Sequence, residues 1–564
     1  MTQLKLNWPI AVPRDAYDYG TRTSGETHGV VLTKPHVVDL ILDLAGYTSD
    51  RDLASVPLLE PACGHGAFLQ AAVGRLVRSA RRRRRKLSKL TEVIVAYDID
   101  PAHVAASRKV VRDTLIASGC AADIAESLAS TWVREGDFLL ASQGARFGAV
   151  VGNPPYVRIE QIAPRLQCEY RDRFASIYDR ADLYVAFIEH GLNLLGPDGV
   201  LSFVCADRWT LNKYGAPLRN LITKRFQVRA YVDLHSASPF ESEVIAYPAI
   251  FALTQGAQKT VAVAKLDTAS ERECADLRDV LKDPSLVRAG VAVTPYDTWF
   301  SGDEPWTLTS PGHLKILRDL EARFQTIEAD GRSRIGIGVA TGNDKIYIVD
   351  ENVDIEPDRL VPLVMREDID QGRVRDARRF VINAFQPSGA LVDLRDYPRL
   401  ARYLLAHEGG IRARHVSKAN PKAWFRTIDR VYPELVSQPK LLIPDIAGAN
   451  QVALDSGRFH PHHNLYFATS ETWDMEVLGA LLSSRVALFF IWSYAVKMRG
   501  GYLRFQAQYL RRIRVPQPTS MPARLSRSLA TAFRNRDFAK IDALALKAYS
   551  LAELPAFPFV DTRR

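Results

Sequence analysis

Cysteine is scarce. The chain holds five in 564 residues, Cys63, Cys120, Cys168, Cys205 and Cys274, an odd number without paired spacing. That excludes a disulfide scaffold and a structural zinc site of the paired-cysteine kind, and predicts a reducing compartment. Apolar runs are short as well: none reaches the roughly 20 residues that a membrane-spanning helix needs. The amino terminus, an irregular leader over about residues 1–17, has no basic segment leading into an apolar stretch. A cytoplasmic protein without membrane attachment is expected. Internal repeats and low-complexity linkers are lacking too. His460-Pro461-His462-His463 invites a metal reading, but no cysteine or carboxylate stands near it at a suitable spacing, so no metal is expected.

What is present is an ordinary globular composition, 47% hydrophobic and 24% charged, in a chain long enough for two cores. A net charge of +10 suits a polyanionic partner, although it does not by itself separate nucleic acid from a solvated surface. The run Arg81-Arg82-Arg83-Arg84-Arg85-Lys86 reads as a solvated helix end, since like charges in a block repel.

Chemistry concentrates after the apolar run Phe147-Gly148-Ala149-Val150-Val151, where Gly152-Asn153-Pro154-Pro155-Tyr156 follows at the end of a predicted buried strand. Ligands bind at the carboxyl ends of strands in open α/β sheets. Asn153 offers an amide oxygen to an exocyclic amine, Pro154 offers a carbonyl stiffened by the neighbouring ring of Pro155, and Tyr156 offers a ring face. A rigid turn would use the same residues. A second stretch favours the site: Leu58-Leu59-Glu60-Pro61-Ala62-Cys63-Gly64-His65-Gly66-Ala67-Phe68-Leu69 reads as strand, glycine loop and helix. Acids close two further segments, Asp98 after Val93-Ile94-Val95-Ala96-Tyr97 and Asp137 in Glu135-Gly136-Asp137-Phe138.

In combination, E-P-A-C-G-x-G-x-F-L followed by G-N-P-P-Y resembles the γ-group type II N6-adenine DNA methyltransferases, and the order of motifs agrees. The first half matches motif by motif, the second mainly in layout. The resemblance implies a class I methyltransferase, a Rossmann-like mixed α/β sheet of about seven strands with helices on both faces, followed by an α+β target-recognition domain. Residues 1–255 are expected to be catalytic, 256–310 a connection, and 311–564 target recognition with a helical tail. S-adenosyl-L-methionine is the implied cofactor. Its implied site is Thr33 at the methionine end, Glu60 at the sulfonium-bearing end, the Pro61, Ala62, Cys63, Gly64 and Gly66 loop, Asp98 on the ribose, and Asp137 with Phe138 on the adenine. The family usually has glutamate where Asp98 stands. Asn153, Pro154, Pro155 and Tyr156 would hold the target amine, with Phe240 on the other face of the base and Tyr247 the second candidate.

Read locally, Thr33 is a capping hydroxyl before Pro35, and Asp182 caps the helix begun by Leu183-Tyr184-Val185. Leu478 to Tyr494 reads as one apolar helix, and from about Met521 the chain reads as amphipathic helix. In the second half Arg412, Arg414, Lys418, Trp424, Arg426, Tyr432 and Lys440 interleave cations and aromatics, which suits nucleic acid and a packed core equally well. Arg499-Gly500-Gly501-Tyr502-Leu503-Arg504-Phe505 resembles a loop of family recognition domains.

The expected function is methyl transfer to N6 of an adenine flipped from double-stranded DNA, by a monomer that needs no metal. A separate cognate restriction endonuclease would act on the same site. N4-cytosine methyltransferases share the geometry, but their loop more often begins with serine. Protein-glutamine methyltransferases carry N-P-P-Y too, yet usually open the first loop with aspartate. An RNA methyltransferase fits less well, and the intact cofactor and catalytic loops speak against a non-catalytic DNA specificity subunit.

Overall fold

The structure is a computed structural model that describes residues 31–141, 144–242, 247–297, 299–300, 302–307, 309–375, 378–447, 451–495 and 503–557. The expected leader and Arg499-Gly500-Gly501-Tyr502 lie outside the described residues. The chain divides into two units, Met1–Thr307 and Leu308–Arg564.

In the first unit the strands are β1 (Leu58–Glu60), β2 (Ile94–Asp98), β3 (Val133–Glu135), β4 (Phe147–Gly152), β5 (Leu195–Ala206), β6 (Phe226–Asp233), β7 (Pro248–Gln255), β8 (Val261–Leu266) and β9 (Val291–Tyr296). They form one sheet in the order β3-β2-β1-β4-β5-β7-β6-β8-β9. From β3 to β5 neighbours run parallel. Strand β7 is antiparallel to both of its neighbours.

The chain leaves β1 toward β2 and β3, then returns to place β4 and β5 on the other side of β1. That reversal opens a crevice beyond the carboxyl ends of β1 and β4, the usual ligand position in such sheets. All three β1 residues are buried between parallel neighbours. Helix α1 (Pro35–Leu44) starts on Pro35, whose missing N–H costs nothing at a first turn, and buries Val37, Val38, Leu40 and Ile41. Helix α2 (Ala67–Arg82) follows the glycine loop and buries Leu69, Val73 and Leu76. Each such side chain contributes about 1.5–3 kcal/mol when fully removed from water. Arg75 of α2 ties the two helices together through Asp39 at 2.7 Å and Asp43 at 2.6 Å. The basic run beyond α2 is exposed, as expected for a solvated helix end, and Arg85 pairs with Asp52.

Two expectations change here. The sheet has nine strands among the described residues rather than about seven. Residues 256–310 are no mere connection: β8 runs parallel along β6, β9 returns antiparallel, and between them the helix Glu271–Lys282 buries Cys274 and Leu277. Trp299 and Trp306 then pack on each other at 5.5 Å, and Trp306 packs on Trp209 at 4.9 Å, so the first unit closes at Thr307. The physical reason is the open edge that β6 would otherwise present, which β8 and β9 extend.

The second unit is α+β, as expected. One antiparallel sheet contains Ser333–Ile337, Leu465–Ser470, Lys440–Pro444 and Ala453–Asp455 in that order. Another contains Ile348–Val349, Phe380–Ile382, Leu360–Val364 and His460–Pro461. The apolar stretch expected as one helix is two, Met475–Ser483 and Arg485–Tyr494, bent by 58°. Ser484 makes the break, its hydroxyl accepting the Ala487 N–H at 3.3 Å. Both helices are largely buried, and among the described residues no single helix is long and apolar enough to cross a membrane. The amphipathic tail forms Ala523–Arg534 and Phe538–Ala548, which bury Leu529, Phe533, Ile541 and Ala545.

Candidate active site at the ends of β1 and β4

Glu60, the last residue of β1, is 1% exposed, and its Oε2 has no hydrogen-bond partner among the described residues. Burial, with the Asp98 carboxylate adding to it, pushes the Glu60 carboxyl well above the ordinary range. A buried acid lacking a cationic partner among the described residues fits a cationic ligand. The loop beyond it is held by backbone: Cys63 N–H donates to Tyr97 O at 2.9 Å and Gly66 N–H to Cys63 O at 2.8 Å. Gly66 sits at φ +86°, where an added Cβ would come within 3.3 Å of the Ser107 backbone. Gly64, at φ +50°, faces open space with nothing within 4 Å of such a Cβ. A ligand can therefore lie close against the loop.

Asp98 closes β2 and anchors this loop. Its Oδ2 accepts the Gly64 N–H at 2.8 Å, while Oδ1 accepts the Asp100 N–H at 3.0 Å and lies 3.2 Å from His103 Nδ1. That bond to Asp98 holds the imidazole of His103 above its usual range. Ser107 donates to Gly64 O at 2.9 Å from α3 (Pro101–Ala117).

Asp137 is also engaged. Oδ1 accepts the Leu139 N–H at 2.8 Å and Oδ2 the Tyr170 hydroxyl at 2.5 Å, while burial pushes the carboxyl up. Each oxygen keeps a lone pair for a further donor. Phe138 is 1% exposed, with the His190 ring at 4.6 Å and the Phe187 ring at 5.4 Å. Burial drops His190 to about 4.

Beyond β4, Asn153 is oriented from the far side of the site. Its Nδ2 donates to Val31 O at 3.0 Å and to Thr33 Oγ1 at 3.3 Å. Its Oδ1 is buried without a partner among the described residues. The residues around Thr33 pair with the Phe240 segment: Lys34 N–H donates to Pro239 O at 3.0 Å and Glu241 N–H to Leu32 O at 2.9 Å. So Thr33, Asn153, Tyr156 and Phe240, distant in sequence, converge. Tyr156 has Phe240 at 6.3 Å and 84°, and Tyr184 at 6.1 Å and 61°.

Residues 111–240 match the Eco57I restriction-modification methylase family. The type II methyltransferase M.BstVI of Geobacillus stearothermophilus is 47% identical over 516 residues, 89% of this chain and 92% of that one. M.PaeR7I of Pseudomonas aeruginosa, also a type II methyltransferase, is 43% identical, covering 93% of this chain and 92% of that one. The chain belongs to the type II DNA methyltransferases. Its fold is the class I methyltransferase fold plus a further domain. The structure of the type IIL restriction-modification enzyme MmeI in complex with DNA is similar in fold, with a TM-score of 0.58 at 11% identity, covering 93% of this chain and 75% of that chain.

In this methyltransferase several residues stand differently from their sequence reading. The two aromatics expected to sandwich a base meet edge to face, so Tyr156 and Phe240 form no parallel slot in this conformation. Tyr247 is 41% exposed and lies against His235 at 5.1 Å and Arg208 at 5.8 Å. Thr33 is not a cap: Lys34 takes the capping position of α1, and the Thr33 hydroxyl serves Asn153 instead. Asp182 is not a cap either. Leu183 takes that position before the helix Tyr184–Asn193, and Asp182 Oδ2 accepts the hydroxyls of Tyr184 at 3.0 Å and Tyr214 at 3.1 Å. The acid thereby fixes the ring that packs on Tyr156. Sequence reasoning missed this trio, together with His103, Ser107, Tyr170 and His190, because none of them carries a local motif.

The interleaved residues of the second unit separate into interior and surface. Arg414 is buried and donates to Thr341 O at 2.9 Å, Tyr347 Oη at 3.1 Å and Trp424 O at 3.0 Å. Lys440 is fully buried against Asp455 at 2.7 Å, and Trp424 is 9% exposed. Arg412, Lys418 and Tyr432 are exposed. The histidine cluster lacked a carboxylate in sequence; folding brings Asp344, 118 residues away, to 3.1 Å from His462.

Proposed function

We propose that this methyltransferase transfers a methyl group from S-adenosylmethionine to N6 of an adenine rotated out of duplex DNA, as the modification component of a restriction-modification system. The observation that carries the reading is Asn153 Oδ1, a buried acceptor at the crevice without a partner among the described residues, while the other end of the same amide is tied down. An exocyclic amine needs such an acceptor.

When bound, the cofactor supplies a methyl group activated by its sulfonium. Glu60 would hold the cationic end, the Gly64 loop the close approach, and Asp98 and Asp137 the ribose and adenine through their remaining lone pairs. Thr33 supports Asn153 as well as lining that end. Asn153 Oδ1 and the Pro154 carbonyl would accept hydrogen bonds from the two N–H groups of the amine, favouring the nitrogen lone pair as nucleophile; as the N–C bond forms the C–S bond of the sulfonium breaks, and the extra proton on nitrogen leaves to water. Pro155 keeps that carbonyl in place. Because the Val31 carbonyl holds the Asn153 amide, the amine would be held in place rather than left to search. Tyr156, steadied by Tyr184, takes one face of the base; Phe240 would turn from its edge contact to take the other, offsetting part of the unstacking energy. Target recognition belongs to the second unit, where Arg412, Lys418 and Tyr432 are exposed. A monomer suffices, acting on one strand at a time. A cognate endonuclease and a cytoplasmic location follow from the same role.

The test is methyl transfer from isotopically labelled S-adenosylmethionine to unmethylated duplex DNA, with digestion to nucleosides. Label on N6-methyldeoxyadenosine supports the reading. Label on N4-methyldeoxycytidine would keep the amine contacts and change the base, and transfer only to RNA or protein would overturn the reading.

A further inference from the structure

Three ligand atoms of the metal-binding kind converge on the second unit, away from the methyl-transfer residues in sequence: Asp344 Oδ2, His462 Nε2 and His463 Nδ1, all within 4.8 Å of one another. His462 Nε2 lies 3.1 Å from Asp344 Oδ2 and 2.9 Å from His463 Nδ1. A ring nitrogen presents either one N–H or one lone pair. If Nε2 presents a proton to the carboxylate, no lone pair remains there to accept a proton from His463. If it presents a lone pair to His463, that lone pair also faces a carboxylate oxygen. One proton must serve both close contacts, or one contact goes without.

The surroundings hold the cluster in this form. His462 is 2% exposed, and its backbone N–H donates to Val364 O at 3.0 Å. His463 N–H donates to Val339 O at 3.0 Å, and Val339 bridges His462. The Thr341 hydroxyl donates to Asp344 Oδ1 at 2.5 Å, leaving Oδ2 for the cluster. Asp344 and His463 are accessible to solvent while His462 forms the floor.

We propose that Asp344, His462 and His463 bind a divalent d-block cation of the zinc class. A cation at their centre accepts all three lone pairs at once, which removes the proton conflict. Two imidazoles and one carboxylate suit zinc, cobalt or nickel rather than magnesium or calcium. Zinc bonds of about 2.0–2.2 Å to such atoms place neighbouring ligands roughly 3–3.5 Å apart, close to the 3.1 and 2.9 Å from His462 to Asp344 and His463. Three protein ligands leave an outward coordination position for water. Thr341 orients the carboxylate as an outer partner. The ion pins the loop carrying Val339 to Asp344 onto the His460–His463 segment, and so joins strands of the unit's two four-stranded sheets. It takes no part in methyl transfer.

The test uses untagged full-length protein treated with a chelator and then titrated with cobalt(II), followed by its visible absorption, and with zinc(II) by calorimetry. Native protein should take up one ion with visible bands typical of nitrogen and oxygen ligands, and zinc should raise its Tm by several degrees. His463→Ala, at an exposed position, should lose affinity at least 10-fold together with the Tm increase. Asp344→Asn, which keeps the Thr341 contact, should do the same. No uptake by native protein, or equal uptake by the native protein and both variants, overturns the proposal; the cluster is then a proton-linked hydrogen-bond chain.

Discussion

The side-chain N–H of Asn153 donates to the carbonyl of Val31 at 3.0 Å, across 122 residues of chain. A carbonyl accepts only a donor, so the contact fixes which end of the amide faces Val31 and which is left over. The leftover end is the oxygen, the group an amine substrate requires. Asn153→Ala should therefore retain S-adenosylmethionine and DNA binding within about twofold while single-turnover methylation falls roughly 10²–10³-fold, the usual cost of removing a positioned polar contact from a transition state. Unchanged turnover would refute the amine contact.

Glu60 is buried with one oxygen unpaired among the described residues, and its carboxyl is held well above the usual range, first by burial and then by Asp98. A carboxyl raised on folding helps stability below its unfolded pKa and loses that contribution as pH rises through the folded value. Glu60→Gln should leave the cofactor-free protein at least as stable near pH 8, while S-adenosylmethionine binds roughly 10–100-fold more weakly, the loss of a charged hydrogen bond. Thermal melts and calorimetry read the two effects separately. Unaltered cofactor affinity would remove Glu60 from the site.

The basic balance of the chain should appear in DNA binding and not in cofactor binding. For six or more phosphate contacts, DNA affinity falls about 10³-fold or more between roughly 50 and 200 mM salt. The affinity for S-adenosylmethionine should change less than about twofold over the same range. Equal slopes for the two ligands would count against phosphate contacts.

His460 is 2% exposed, and burial drops its imidazole to about 4, with Lys440 adding to the effect. The unfolded chain has the ordinary value of about 6.5, so it binds the proton first as pH falls. Stability is fully present above about pH 6.5 and declines toward pH 4, by about 3 kcal/mol from this residue. His460→Gln retains a polar side chain that does not titrate, so its urea midpoint should fall less between pH 7 and 4.5. Parallel declines in the two proteins would assign the acid sensitivity elsewhere.

The motifs of the first unit were legible because each is local. The glycine loop needs its two glycines within three positions, and Gly152-Asn153-Pro154-Pro155-Tyr156 must directly follow a buried strand. Apolar runs likewise announced β1, β2 and β4. Strands β3, β8 and β9 were not legible, since runs of three to six half-buried residues carry too little pattern to separate from loop.

The sequence by itself determined the family and the parallel core of the sheet, because backbone geometry and hydrophobic period are set by near neighbours. Only the tertiary structure decided what side chains distant in sequence do to one another. It set the free end of Asn153 through Val31, gave Asp182 two tyrosine hydroxyls instead of a helix terminus, sent Lys440 and Arg414 inside, and brought Asp344 to His462. Contacts between residues more than 100 positions apart depend on how whole elements pack, and side-chain lone pairs find their partners only after that packing is complete.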